Sequence, residues 1–360
     1  MRIKKPFKNY RDSKYLAPIA IGALAFLFVP FEALDTYRYY LDADRIATNL
    51  PVVEFIAFKF FQTFDFIYYL LQYYCISLNI PVQSITGVSV ALLYAQSFRA
   101  IDIVNEKYNL KYNPLDNFLL HLFVLISVSY IMVWSLGRNA TGIMFVAYGI
   151  NYMLSERKIR AAIFFALAIF THFGLIFYLA IFFAGYFFHF REKTVILRTI
   201  VLAGVIAGFI ASLFIANLLQ SVSNLFFITV EYDYQRYLEI QQTRNILEFT
   251  LGWGDKVMFV TTAAVLIFSL YNVKRNNPII SGSIFVFIWL SISLGFSQMH
   301  TQRTLLLLIP LQGIIGAFFL FANKNSNLLF LYRILIMISV LTFMWNIYSY
   351  RGSWVFELPF

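Results

Sequence analysis

One stretch restricts what this chain can fold into more than any other. Residues 161–188, AAIFFALAIFTHFGLIFYLAIFFAGYFF, carry no formally charged side chain and a single histidine, His172, near the middle. A helix needs about 20 residues to cross a hydrocarbon core about 30 Å thick. The 28 residues here are too many for one comfortable crossing and few for two. The flanks decide. Arg157, Lys158 and Arg160 precede the stretch, and Arg191, Lys193 and Arg198 follow it. Short loops rich in Lys and Arg stay in the cytoplasm, so both ends belong on one side. The expectation is a hairpin of two short helices, beginning near Ser155 and ending near Phe190. Thr171, His172, Phe173 and Gly174 form its apex near the outer face. An imidazole at that depth is costly unless it lines a wet cavity.

Hydrophobic residues make up 60% of the chain and charged residues 13%, with the apolar residues gathered in separate runs. Soluble domains carry about 25% charged residues. The composition therefore points to an all-α polytopic membrane protein, a single integral membrane domain over residues 1–360. Taken in order, the runs give about eleven transmembrane helices (ten to twelve), the hairpin counting as two. Residues 15–32 lead out from a cytoplasmic N-terminus, 82–98 return, 116–136 go out and 141–154 come back. After the hairpin, 196–219 and 278–296 lead out, 257–272 and 304–321 return, and 328–348 end outside. The first run reads as a retained crossing, because no small-residue cleavage site follows it. Residues 51–79 are apolar but interrupted by Glu54, Lys59 and Asp65. They read as interfacial helices on the outer face, within an outer loop of residues 34–80. Residues 220–255 form a second long outer loop.

Charge tests this layout. It places 19 of the 28 Lys and Arg residues in the cytoplasm and 9 outside. Making 51–79 a full span would export residues 155–160 and worsen the bias. The net charge of +10 is dispersed over loops, which argues against a nucleic-acid partner. The single cysteine, Cys75, rules out an internal disulfide and a cysteine metal cluster. No metal-binding motif appears in a suitable context.

The outer basic residues are mostly arginines: Arg38, Arg45, Arg138, Arg236, Arg244, Arg303 and Arg351, against Lys59 and Lys256. Positive charge on the translocated side is disfavoured during insertion. Arginine offers a planar fork that binds phosphate bidentately and stays charged. Several reaching one outer cavity would bind a pyrophosphate or polyanionic headgroup; the plainer alternative is pairing with Asp35, Asp42, Asp44, Asp233 or Glu239, or with lipid phosphate. His300 precedes Arg303 by three residues, on one face of a helical turn. His121 falls near a cytoplasmic helix end and carries no functional expectation.

Three segments then carry a likeness to a known family. DTYRYY (residues 35–40) follows the first run, Arg138-Asn139-Ala140 opens the fourth, and AIFTHF (residues 168–173) holds the hairpin histidine. With the tyrosine-rich late loop, the chain resembles the EpsG-like branch of Wzy-type polysaccharide polymerases over nearly its whole length. Members often have Gly-x-Asp before the tyrosines, where this chain has Ala33 and Leu34 before Asp35.

The resemblance implies a polysaccharide polymerase of the bacterial plasma membrane, working at its periplasmic or extracellular face without metal or other cofactor. A glycan would leave its polyprenyl-pyrophosphate carrier and join the terminal sugar of an incoming lipid-linked repeat unit. Arg38, Arg138, Arg236, Arg244, His300 and Arg303 would hold the pyrophosphate. His172 is the first choice of base, with Asp35 and Asp233 second, and Tyr37, Tyr40, Tyr234 and Tyr237 would stack on sugars. The expected partners are the lipid-linked oligosaccharides, the bilayer, a flippase and a chain-length regulator. The alternatives are a flippase or transporter of lipid-linked sugars, which would show broken spans and mid-membrane polar residues, and an O-antigen-ligase-like transferase.

Overall fold

The computed structural model describes residues 14–29, 51–63, 66–109, 113–135, 137–188, 199, 202–204, 206–207, 253–273, 277–293, 298–322, 325–349 and 356. Among these the chain forms helices and no strand, with one isolated bridge pairing Phe28 with Phe356. The helices are α1 (Leu16–Leu27), α2 (Val52–Thr63), α3 (Phe66–Ser77), α4 (Gln83–Tyr108), α5 (Pro114–Ile126), α6 (Tyr130–Ser135) and α7 (Gly137–Leu154). They continue with α8 (Lys158–Thr171), α9 (Leu175–Phe187), α10 (Trp253–Asn272), α11 (Pro278–Ser293), α12 (Gln298–Ala322) and α13 (Ser326–Ser349). The all-α expectation holds, but a set of eleven full crossings is not what the described residues show. Two helices, Gln83–Tyr108 and Ser326–Tyr348, are both long and apolar enough to cross a membrane, and six further apolar helices are shorter.

Two departures have local causes. The run expected as one span over 116–136 is α5 and α6, interrupted at Ser127, Val128 and Ser129, all three buried. Ser127 Oγ donates to Val124 O at 3.2 Å and so satisfies one carbonyl at the end of α5. Non-helical backbone at membrane depth is tolerated where protein covers it, and the burial of these residues meets that condition. The second departure is α4, which does not stop near Phe98 but runs on to Tyr108 over 26 residues, or about 39 Å at 1.5 Å per residue. It ends at Asn109, whose left-handed φ of 48° lets its N–H reach back to Asn105 and Glu106 carbonyls. Residues 51–79 form two 12-residue helices, each about 18 Å long and too short to span alone.

The chain divides into two compact units. The first comprises Met1–Phe177, Ile309–Ala317 and Tyr350–Phe360. Within it α1 meets α4 backbone to backbone: a Cβ added at Gly22 would stand 2.5 Å from Ala91 Cβ and 2.6 Å from Gly87 O. Their far ends are pinned by Lys14 Nζ and Tyr15 OH on the Asp102 carboxylate, at 2.5 and 3.0 Å. α7 lies between α4 and α8. Toward α4, Ser89 Oγ and Thr141 Oγ1 share a hydrogen bond of 2.9 Å, and Asn151 Nδ2 donates to Gln96 O and Oε1, both at 2.9 Å. Toward α8, Gly149 faces Phe165 and Gly142 faces Ala168. These pairings make α4 parallel to α7 and α8 antiparallel to it. Beyond α7, Glu156 adopts a left-handed φ of 61°, with the N–H of Arg157 on Tyr152 O and its own on Met153 O, a Schellman cap. Lys107 Nζ joins that cap, donating to Leu154 O at 3.2 Å and to Glu156 Oε1 at 2.7 Å.

The second unit comprises Tyr178–Leu308 and Phe318–Ser349. Gly185 and Gly282 allow the two chains of α9 and α11 to touch at Ser281 O and Phe182, and Gly204 sits against Ile288. Thr261 and Thr342 join α10 to α13 through a 3.1 Å hydroxyl pair. The Phe319 ring lies tilted against Phe268 and Tyr332, with centroids 5.4 and 4.7 Å away. Much of α13 is exposed apolar surface, Leu341, Met344 and Trp345 included, as suits a helix bathed in lipid.

Candidate functional site

The first unit has two chemically distinct ends. One gathers Lys14 with Asp102, Arg99 with Glu106, and Lys107 with Glu156, next to Lys158 and Arg160 at the start of α8. At the other end, Phe28 packs on Trp134 (5.3 Å between ring centroids) and on Phe356 (6.4 Å). Trp134 is the penultimate residue of the short α6, and α7 starts three residues after it. Arg138 is the second residue of α7 rather than part of a connecting turn, and it is half-buried. A helix N-terminus carries partial positive charge. A guanidinium there adds to it, so this is a place fit for an anion rather than for a further cation.

His172 lies at the same end. The uncharged stretch breaks where expected: α8 stops at Thr171, α9 starts at Leu175, and His172, Phe173 and Gly174 join them. The His172 N–H closes the last turn of α8 on Ala168 O at 3.0 Å. Its φ of −150° and ψ of 101° then take the chain out of the helix. Leu175 N donates to His172 O at 2.9 Å, so the joint is compact. His172 as a whole is only 5% exposed. A Cβ placed on Gly142 would be 3.6 Å from His172 Cβ, and Gly142 follows Arg138 by four residues, one turn along the same face. The structure therefore brings His172 to within about one helical turn, roughly 6 Å along α7, of the Arg138 level. Phe66 of α3 meets Phe170 at 5.3 Å, which places the start of α3 near the end of α8, two residues before the histidine.

The other expected residues stand as follows. His300 and Arg303 fall in the first two turns of α12, three residues apart as anticipated. Asp35, Tyr37, Arg38, Tyr40, Asp233, Tyr234, Arg236, Tyr237 and Arg244 lie outside the described residues. His121, given no role, is buried, with Nδ1 2.7 Å from Asn117 O and its ring edge-on to Phe98. Sequence reasoning placed Gly174 at the apex but gave it no role, and it missed Gly142; built Cβ atoms at both would come near His172. The sequence marks Gly142 only as a glycine one turn after the arginine, inside an apolar helix, and does not show what it faces.

Chemically, an imidazole and a guanidinium carried at levels about one helical turn apart, in a mostly buried setting, can take a proton from a hydroxyl and neutralise a nearby phosphate. A match to the family model described as EpsG family extends over residues 14–360. Neither a curated protein nor a solved structure matches the chain.

Proposed function

The chain belongs to the EpsG family, which makes it a membrane protein with a polysaccharide-polymerase-like, broadly glycosyltransferase role, and from that premise we propose a specific reaction. It extends a polysaccharide on the outer leaflet of the bacterial plasma membrane. The donor is a glycan on polyprenyl pyrophosphate, and the acceptor is the terminal sugar hydroxyl of a lipid-linked repeat unit. The acceptor oxygen bonds to the donor's anomeric carbon as the bond from that carbon to the pyrophosphate oxygen breaks. His172 takes the hydroxyl proton, and the carrier leaves as its pyrophosphate. Arg138 neutralises the departing charge, joined by Arg38, Arg236, Arg244, His300 and Arg303. Asp35 and Asp233 are the second choices of base, and Tyr37, Tyr40, Tyr234 and Tyr237 the sugar platforms. The scheme uses no metal.

The observation that carries this proposal is the shared location of His172 and Arg138, at the end of the first unit opposite its cluster of lysines and arginines. Basic loops mark the cytoplasmic side, so the pair falls on the outer side. The test is glycan analysis after deletion of the gene. Loss of long polymer with single repeat units retained at the cell surface supports polymerisation.

A second reading has one point in its favour. The break between α5 and α6, and a fully buried Gln312 two residues after Pro310 in α12, are features that transporters share. A flippase for lipid-linked sugars would lose the surface repeat units as well as the polymer. An O-antigen-ligase-like transferase would instead leave free polymer unattached to its final acceptor.

A further inference from the structure

We infer that Gly142 and Gly174 are positioning residues that together form a slot for the imidazole of His172. Glycine inside or beside a helix needs a reason, because it weakens the helix relative to alanine. The usual reason is a left-handed backbone, and among the described residues no glycine has a positive φ. What remains is space. At Gly174 a built Cβ would lie 3.0 Å from His172 Nε2, 3.3 Å from Cε1 and 3.7 Å from Cδ2. The Nε2–Cε1 edge of the ring thus rests on the Gly174 backbone. At Gly142 the built Cβ would meet Leu175 Cδ1 at 2.5 Å, Ala168 O at 3.5 Å and His172 Cβ at 3.6 Å. Gly142 therefore leaves room for Leu175, with the base of the His172 side chain alongside at ordinary contact distance, and Gly174 sets where the ring edge lies.

The two act on different coordinates. A methyl at position 174 meets the ring and pushes it by a few tenths of an ångström, with the backbone free to stay as it is. A methyl at 142 meets Cδ1 of the buried Leu175 first, so Leu175, which opens α9 just after the joint, must shift. Arg138 stays put in either case, since it is held by α7 itself. Both substitutions disturb the setting of the imidazole while leaving it and the Arg138 guanidinium present.

The functional consequence rests on His172 being the base. Proton transfer is sensitive to placement, and an error of about 1 Å can cost about a hundredfold. The test uses the full-length chain expressed from a plasmid in the deletion strain. Polymer is measured at matched protein level in the membrane. In parallel, isolated membranes are treated with diethyl pyrocarbonate, and modification at each histidine is followed by peptide mass spectrometry. His121 and His300 serve as internal controls. Gly174→Ala is expected to lower polymer formation about tenfold, as befits a shift well under 1 Å, and to change the modification rate of His172 alone. Gly142→Ala should do the same, with some loss of membrane protein.

An unchanged His172 rate in Gly174→Ala overturns the slot, whatever happens to polymer. A changed rate with normal polymer in Gly174→Ala, while His172→Ala makes none, overturns the claim that the slot positions the base. Full polymer in His172→Ala removes the base assignment instead, and the modification rates then still decide whether the slot exists.

Discussion

His172 and Arg138 differ in what their removal should reveal. A positioned general base contributes about 10²–10⁴-fold, so His172→Ala should abolish visible chain extension while the protein remains in the membrane. Normal polymer length in that variant, read by gel electrophoresis of extracted glycan, would take the histidine out of the mechanism. For Arg138 the informative change is to lysine, which keeps the charge and loses the planar fork. Activity should fall, with Arg138→Ala lower still by about 10²-fold relative to wild type, the usual effect of deleting one charge-stabilising donor. Equal activity in wild type and Arg138→Lys would reduce Arg138 to a point charge or a lipid anchor. At the other end of the unit, Lys107 lends itself to a pH test. Its hydrogen bond and charge, with a smaller contribution from Lys158, hold the Glu156 carboxyl below its ordinary value of 4.5. A carboxylate with a lowered folded value stabilises fully above the ordinary value and loses that contribution as pH falls through the folded one. Thermal unfolding of Lys107→Met should therefore differ more from wild type at pH 7 than at pH 4. The pair is exposed, so the effect is small and shrinks in salt. The bond from Lys107 to Leu154 O persists at both values, so some difference remains in acid.

At the scale of elements, the contact between α1 and α4 is the most restrictive. With Gly22 and Gly87 each too close for a Cβ, Gly22→Ala forces the two helices apart and should cost about 1–3 kcal/mol, the typical cost of overpacking. A Gly22→Ala protein with unchanged thermal stability in detergent would show that the helices separate freely. How much of this architecture the sequence disclosed depends on what each boundary is made of. The joint at His172 was legible because a polar ring followed by Gly174 interrupts an otherwise unbroken apolar run. The break at Ser127, Val128 and Ser129 was not. It contains no proline or glycine, and membrane helices absorb hydroxyl side chains by bonding them to the preceding turn, as Ser97, Ser283 and Thr171 do here on Leu93, Ile279 and Leu167 carbonyls. The end of α4 was missed for a different reason. Hydropathy marks where hydrocarbon stops, not where a helix stops. Arg99, Asp102 and Glu106 continue the helix past that edge, two of them paired with each other. Gly142 escaped because its importance lies in what it faces, Leu175 and His172, which no local pattern encodes.

For the molecule as a whole, the remaining question is which way the first unit faces, and the distribution of charge supplies a definite expectation. Lys14, Arg99, Lys107, Arg157, Lys158 and Arg160 all belong to the end where α1 starts and α7 stops. Arg138 stands at the end where α7 starts. An asymmetry of that kind orients a membrane protein with the basic end inward. A single native cysteine, free and half-buried in α3, makes the orientation easy to read. With Cys75 replaced by serine, one cysteine can be placed at Leu78, exposed just beyond α3, or at Glu156, exposed just beyond α7. Leu78→Cys should react with a membrane-impermeant maleimide in intact cells, and Glu156→Cys only after the membrane is permeabilised. The choice of Glu156 costs the Lys107 contact but leaves both flanking helices in place. The reverse pattern would put His172 and Arg138 at the cytosolic face. A pyrophosphate-linked glycan assembled outside could not reach them there, and the outer-leaflet reaction would have to be abandoned even if every substitution at the two residues abolished polymer.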